Sequence, residues 1–260
     1  MVLSSPAAAI YPSLEGRRVV ITGGASGIGA GLVEAFVRQG SEVIFLDVAQ
    51  AEAFALAERL KAATPDRPAP RFILCDLTDL NALQTCFAEV QNEAGPVEVL
   101  INNAGNDDRH SVEQVTPEYW DDRMGVNLRH MFFCAQAVAP AMKTAGRGVI
   151  INFGSISWRL GLPDLILYET AKAGVEGMTR ALARELGAAG VRVTCVVPGN
   201  IKTPRQTKWY DAEDEQKIID AQCLKGRIEA AHVASMVLFL ASDDARYCTG
   251  HAYCIDAGWG

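Results

Sequence analysis

Tyr168 and Lys172 stand four residues apart in a stretch of helical periodicity, so both side chains project from one helix face. A phenol beside an ammonium makes a usable base, because the positive charge favours the phenolate and draws the pKa down from its ordinary value of about 10. That spacing recurs on many amphipathic helices and carries little alone. Ser155 adds to it: it ends an apolar run that reads as a strand, thirteen residues upstream, and should share a sheet edge with the pair. Phenol, ammonium and hydroxyl together suit removal of a proton from an alcohol, provided another group takes the hydride. His110 is the nearest competing base; with no evident partner it reads as a loop or pocket residue.

The sequence also offers a place for a hydride acceptor. An apolar strand at 19–22 runs into Gly23-Gly24-Ala25-Ser26-Gly27-Ile28-Gly29 and then a helical pattern. Glycines permit a tight turn and close backbone approach, and free N–H groups at the helix start attract a pyrophosphate. Gly23, Ser26, Gly27, Ile28 and Gly29 are the candidate contacts. Asp47 ends the next strand about 20 residues on, where a carboxylate accepts from ribose hydroxyls and repels a 2′-phosphate. Neither the loop nor Val48, Ala49 and Gln50 supplies a compensating cation, so the reading is NAD rather than NADP. Asp76 and Leu77 are placed to flank an adenine, and Asn103, Ala104 and Gly105 to line the same edge. Asn102 and Asn103 read equally as ties between strand ends.

These residues share an edge only if the chain folds as alternating strands and helices. Strands are expected at 17–22, 42–47, 71–76, 97–102, 148–154, 191–198 and 251–256, and helices at 28–39, 51–63, 81–94, 117–142 and 164–186. The strands are apolar nearly throughout, as when helices cover both faces of a sheet. Thr116-Pro117 predicts a helix start, and Gly40, Gly95 and Gly187 predict helix stops. The expected fold is α/β: a three-layer, doubly wound (Rossmann) domain with a seven-stranded parallel sheet. It occupies residues 15–260, after a flexible segment at 1–14. A long connection at about 200–226, bearing Gln206, Lys208, Trp209 and Tyr210, reads as a substrate lid.

Composition excludes several function classes. A formal charge of -7 and no basic run argue against nucleic acid. Seven scattered cysteines without a CxxC pair point to neither a disulfide framework nor a metal site, and fit a reducing cytoplasm. No apolar run approaches the ~20 residues that span a bilayer.

TGGASGIG at 22–29, NNAG at 102–105, Asn127, Ser155, Tyr168-x-x-x-Lys172 and Pro198-Gly199 together resemble the motif set of the short-chain dehydrogenase/reductase family. The resemblance covers almost the whole chain. It implies that Tyr168 is the general base, that Lys172 tunes it and holds the nicotinamide ribose, and that Ser155 bonds the reacting oxygen. It further implies that Asn127 anchors a water joined to Lys172, completing the catalytic group, and that Pro198, Gly199, Ile201 and Thr203 contact the nicotinamide.

The pocket loops are rich in hydrogen-bonding groups with a few aromatics, which suits a polyol. Asn106, Ser155, Trp158, Tyr168, Asn200 and Trp209 are the expected substrate contacts; Asp107, Asp108 and Arg109 read either as sugar ligands or as a structural network. NNAGNDDRH, NLRHMFF, INFGSISW and IDAGW narrow the resemblance to bacterial NAD-dependent sugar dehydrogenases of the D-xylose type. That implies oxidation of the anomeric C1 hydroxyl of an aldose to the lactone. L-arabinose, L-fucose, L-rhamnose or a carbonyl substrate are alternatives, as is an inactive NAD-sensing protein. Family resemblance and two long helices also imply a homodimer or homotetramer.

Overall fold

Residues 9–206 and 211–260 are described by a computed structural model, in which the apolar runs become strands of one parallel sheet. The strands are β1 (Arg18–Thr22), β2 (Glu42–Asp47), β3 (Arg71–Leu74), β4 (Val99–Asn102), β5 (Gly148–Phe153), β6 (Val191–Pro198) and β9 (Ala252–Ile255). Their order is β3-β2-β1-β4-β5-β6-β9, with every pairing parallel, as expected from the sequence. The order reverses between β1 and β4, leaving a crevice beyond their carboxyl ends. The central strands β4 and β5 are buried along their whole length.

Helices cover both faces. On one, α1 (Gly27–Arg38) packs on α9 (Ala230–Ala241) through residues such as Val33, Phe36 and Val237. On the other, α3 (Leu80–Ala94) packs on α5 (His130–Ala145) through Leu83, Phe87, Val138 and Met142. The remaining large helices are α2 (Gln50–Ala63) and α7 (Ile166–Leu186).

The single helix expected at 117–142 divides into α4 (Pro117–Met124), a π turn (Gly125–Arg129) and α5. Thr116 caps its start as predicted, accepting from Tyr119 N–H. Inserting one residue into a helix does not break the apolar pattern on either side, so the sequence carried no sign of the turn. α7 ends at Leu186 with Gly187 as its C-cap, as predicted. The chain tightens into a 3-10 turn, Gly187–Ala189, and reverses at Gly190 with φ 76°.

The described part of the N-terminal segment is not loose. Tyr11 N–H donates to Gln39 Oε1, Gln39 Nε2 returns a bond to Ala9 O, and Leu14 is fully buried in the core. The long connection after β6 holds a two-residue strand, β7 (Ile201–Lys202), paired to β8 (Ile228–Glu229), and helix α8 (Ala212–Ala221). Lys208, Trp209 and Tyr210 lie outside the described residues. No helix among the described residues is long and apolar enough to cross a membrane.

Candidate active site

Every residue assigned above to the cofactor lines one cleft of about 640 Å³ at the carboxyl edge of the sheet. The glycine loop has this shape because two strand ends converge there. Gly23 has φ 67°, and a Cβ on it would stand 2.8 Å from Ala104 Cα; one on Gly29 would collide with the Gly23 carbonyl. Asn103 Nδ2 donates to the carbonyls of Thr22 and Gly23, while Thr22 Oγ1 accepts from the N–H groups of Asn103 and Ala104. Asn102 turns inward and bonds Asn152 Oδ1 and Met131 O. Both asparagines are therefore ties, and Asn103 also lines the cleft.

The residues fit a dinucleotide. Ser26 precedes α1 without capping it, and no acidic side chain occupies the first turn, so the free N–H groups and the dipole of this helix remain available to an anion. Asp47 is held by backbone N–H groups, from Ala25 to Oδ2 and from Val48 and Ala49 to Oδ1. Gly23, residues 26–29, Asp47, Val48 and residues 75–78, which line this end, include no Lys or Arg.

At the other end β5 delivers Ser155, whose Oγ lies 2.9 Å from Ser157 Oγ and bonds the Tyr168 hydroxyl. Lys172, one turn along α7, is 2% exposed; its Nζ donates to Phe153 O at 2.8 Å and lies 5.4 Å from the Tyr168 ring centre. Burial pushes Lys172 down to about 8. The Tyr168 phenol, contrary to expectation, is pushed well above its ordinary value: burial dominates, the Asp107 carboxylate adds to it, and Ser155 and Arg205 oppose it only in part. The ammonium is pinned to a carbonyl at the ring face, and desolvation of a phenolate outweighs its pull.

Asn127 is fully buried behind the cleft. Its Oδ1 accepts from Asn106 N–H at 2.8 Å, and its Nδ2 donates to the carbonyls of Asn106 and Arg123. A Cβ on Gly105 would sit 3.2 Å from Asn127 Oδ1 and 3.3 Å from Lys172 Nζ, so glycine there lets the two groups share one pocket. Asn127 lies within the π turn.

The substrate end departs most from the sequence reading. Asn106 and Asn200 line the cleft, although Asn200 Oδ1 already accepts from Arg227. Trp158 does not line it: its Nε1 donates to Glu176 on α7, and Arg159 stacks on its ring. One residue past the cleft wall, the short helix Ser157–Leu160 carries Trp158 to the outer side. Trp209 lies outside the described residues. Leu160, Leu162, Leu165 and Trp259 supply the apolar wall instead. Asp108 pairs with Arg123 and Arg205, and Arg109 donates to Pro163 O, so this loop is a network. His110 is buried, its Nε2 facing Leu167 N–H at the start of α7.

The family model described as enoyl-(acyl carrier protein) reductase matches residues 23–260. A D-xylose 1-dehydrogenase of Caulobacter vibrioides is 65% identical over 251 residues, 96% of this chain and 98% of that one. The chain belongs to the short-chain dehydrogenase/reductase family. A probable galactose dehydrogenase of Rhizobium meliloti is 45% identical over 95% of this chain and 96% of its own. The solved structure of a 3-oxoacyl-(acyl-carrier protein) reductase from Brucella melitensis superposes with a TM-score of 0.90 at 28% identity, covering 100% of this chain and 97% of that one. As a member of this family the chain is an oxidoreductase acting on CH–OH groups with a nicotinamide cofactor.

Sequence reasoning missed three features of this dehydrogenase's cleft. Trp259 was visible only as part of a terminal motif, and no periodicity places a C-terminal tail. The apolar wall at 160–165 reads locally as a loop. Arg205 meets Asp108 across 97 residues of sequence, and nothing local to either announces the pairing.

Proposed function

We propose that this enzyme is an NAD-dependent aldose 1-dehydrogenase that oxidises the anomeric C1 hydroxyl of D-xylose to the lactone. The observation that carries the reading is one cleft with Asp47 and an uncapped helix start at one end and Ser155, Tyr168 and buried Lys172 at the other. The 65% identity to a D-xylose 1-dehydrogenase supports the sugar. Asp47, with no cation beside it at the adenosine end among the described residues, supports NAD over NADP.

When bound, NAD supplies the acceptor for the C1 hydride. The protein's task is the proton and the geometry. Ser155 and Tyr168 present two hydroxyl groups to the O1 atom of the sugar; deprotonated, Tyr168 takes the O1 proton as the C1–H bond breaks and the C=O bond forms. Lys172 keeps N–H bonds free beyond the one to Phe153, and these suit ribose hydroxyls. The Asn127 side chain is spent on Asn106 and Arg123, so its share of a water relay falls to its main-chain carbonyl in the π turn.

The scattered, unpaired cysteines support a reducing cytoplasm. Phe132, Ala139 and Leu182 line an outward hollow on α5 and α7, which supports a homo-oligomer.

The test is NADH formation by the purified protein with D-xylose, L-arabinose, L-fucose, L-rhamnose, D-galactose and a hydroxysteroid, with NAD and NADP. D-xylose with NAD should give the highest kcat/KM, and Tyr168→Phe should lose about 10²–10⁴-fold in kcat. Asp47→Ala should cut the preference for NAD about tenfold or more. Turnover of the hydroxysteroid alone, or an active Tyr168→Phe variant, refutes the reading.

A further inference from the structure

Arg205 approaches the substrate end of the cleft from the segment after β7. Its Nη2 donates to Asn106 Oδ1 at 3.0 Å and Asp108 Oδ1 at 2.8 Å, and lies 3.0 Å from Asp107 Oδ1. The loop it meets is fixed from behind: Asn127 clamps the Asn106 backbone, and Arg123 holds the other Asp108 oxygen. Arg205 is thus the element that spans the mouth, reaching a prebuilt acceptor on the opposite wall. All three charged partners are about half exposed, so the contact adds little to stability. Its role lies elsewhere.

We propose that Arg205 is a positioning residue for the reaction: it closes the mouth of the cleft onto the 106–108 loop and offsets part of the Asp107 charge that otherwise faces Tyr168. Among the described residues Asp107 has one ion-pair partner, Arg205. The charged groups around Tyr168 are Lys172 from its own helix, Asp107 from the loop after β4 and Arg205 from beyond β7, with the Ser155 hydroxyl from the end of β5. Arg109 lines the same cleft but is directed to Pro163 O, and Asp122 and Arg123 line it as a mutual pair. Asp107 and Arg205 act on the phenol in opposite senses, the carboxylate holding the proton on and the guanidinium easing it off. With Arg205 in place part of the Asp107 effect is offset. With Arg205 withdrawn, the carboxylate disfavours the phenolate that takes the sugar proton. Closure over substrate and readiness of the base are thereby linked through one side chain.

This inference rests on Tyr168 as the base, and the experiment separates the two. The full-length enzyme and its R205M, D107N and R205M/D107N variants are compared by kcat/KM for D-xylose with NAD from pH 6 to 10. Along the alkaline-rising limb kcat/KM at a given pH should fall about tenfold in R205M, rise in D107N, and recover to at least the wild-type value in the double variant. R205K, which keeps the charge, should hold the wild-type limb. NADH affinity, read by fluorescence, should be unchanged, because these residues lie at the substrate end; R205Q replaces R205M if that variant fails this check. An R205M limb that stays at the wild-type position, or a double variant that behaves as R205M, overturns the proposal. Tyr168→Phe with full activity overturns instead the assignment of the base.

Discussion

Lys172→Met offers a direct measure of what the fold does to its buried ammonium. At 2% exposure the side chain is out of water, and burial has pushed it down to about 8 from a lysine's ordinary value near 10.4. Between those two values the unfolded chain binds the proton and the native protein does not, so stability rises with pH across the window. Below pH 8 both states are protonated and the burial penalty is fully present. From pH 8 to 9.5 the wild type should gain about 1.5 kcal/mol relative to Lys172→Met, which has nothing to titrate there. Taking the difference between the two proteins removes the groups remote from Lys172, while Tyr168 and Cys195, both raised by burial, keep their protons in the native state across this window. The absolute offset at pH 7 is less informative, since methionine removes the charge but also leaves Phe153 O without its donor, at about 1–3 kcal/mol. Urea unfolding at half-unit pH steps supplies the two curves. Parallel curves between pH 8 and 9.5 would show that Lys172 is not held at a depressed pKa.

Trp259→Ala should raise the sugar KM about tenfold with NAD affinity unaltered, since it removes an aromatic ring from the apolar wall; Trp158→Ala should leave the sugar KM unchanged and lower only stability, because Glu176 and Arg159 hold that ring outside the cleft. Initial-rate measurements on both variants decide between the two tryptophans. His130 is fully buried with Nδ1 on Gly125 O, and burial pushes it down to about 4. The unfolded chain takes up its proton first as pH falls, so stability should drop by about 2 kcal/mol between pH 7 and 5 relative to His130→Gln, followed by denaturant unfolding. Equal acid sensitivity in the two proteins would contradict a neutral, buried His130.

The seven strands, their parallel arrangement and the cofactor half of the cleft were legible in the sequence because each depends on short-range pattern. A strand buried on both faces is apolar throughout, a glycine turn must sit between strand and helix, and Asp47 ends a strand whose position follows from its neighbours. The four catalytic candidates were named for similar reasons: Tyr168 and Lys172 share a helix, and Ser155 ends a strand. What their environment does to them was not legible. The phenol's proton is held by burial and by Asp107, neither of which the one-turn spacing from Lys172 reports. Asn127 reaches its pocket through a π turn that leaves the apolar pattern on both sides intact. Trp158 and Trp259 exchange places as cleft residues because a four-residue helix turns one outward while the C-terminal tail folds the other in. Arg205 meets Asp107 and Asp108 only after six strands have been stacked side by side. Local pattern fixes which way a side chain leaves its own element; which group it then meets depends on elements far away in sequence, and only their packing decides that.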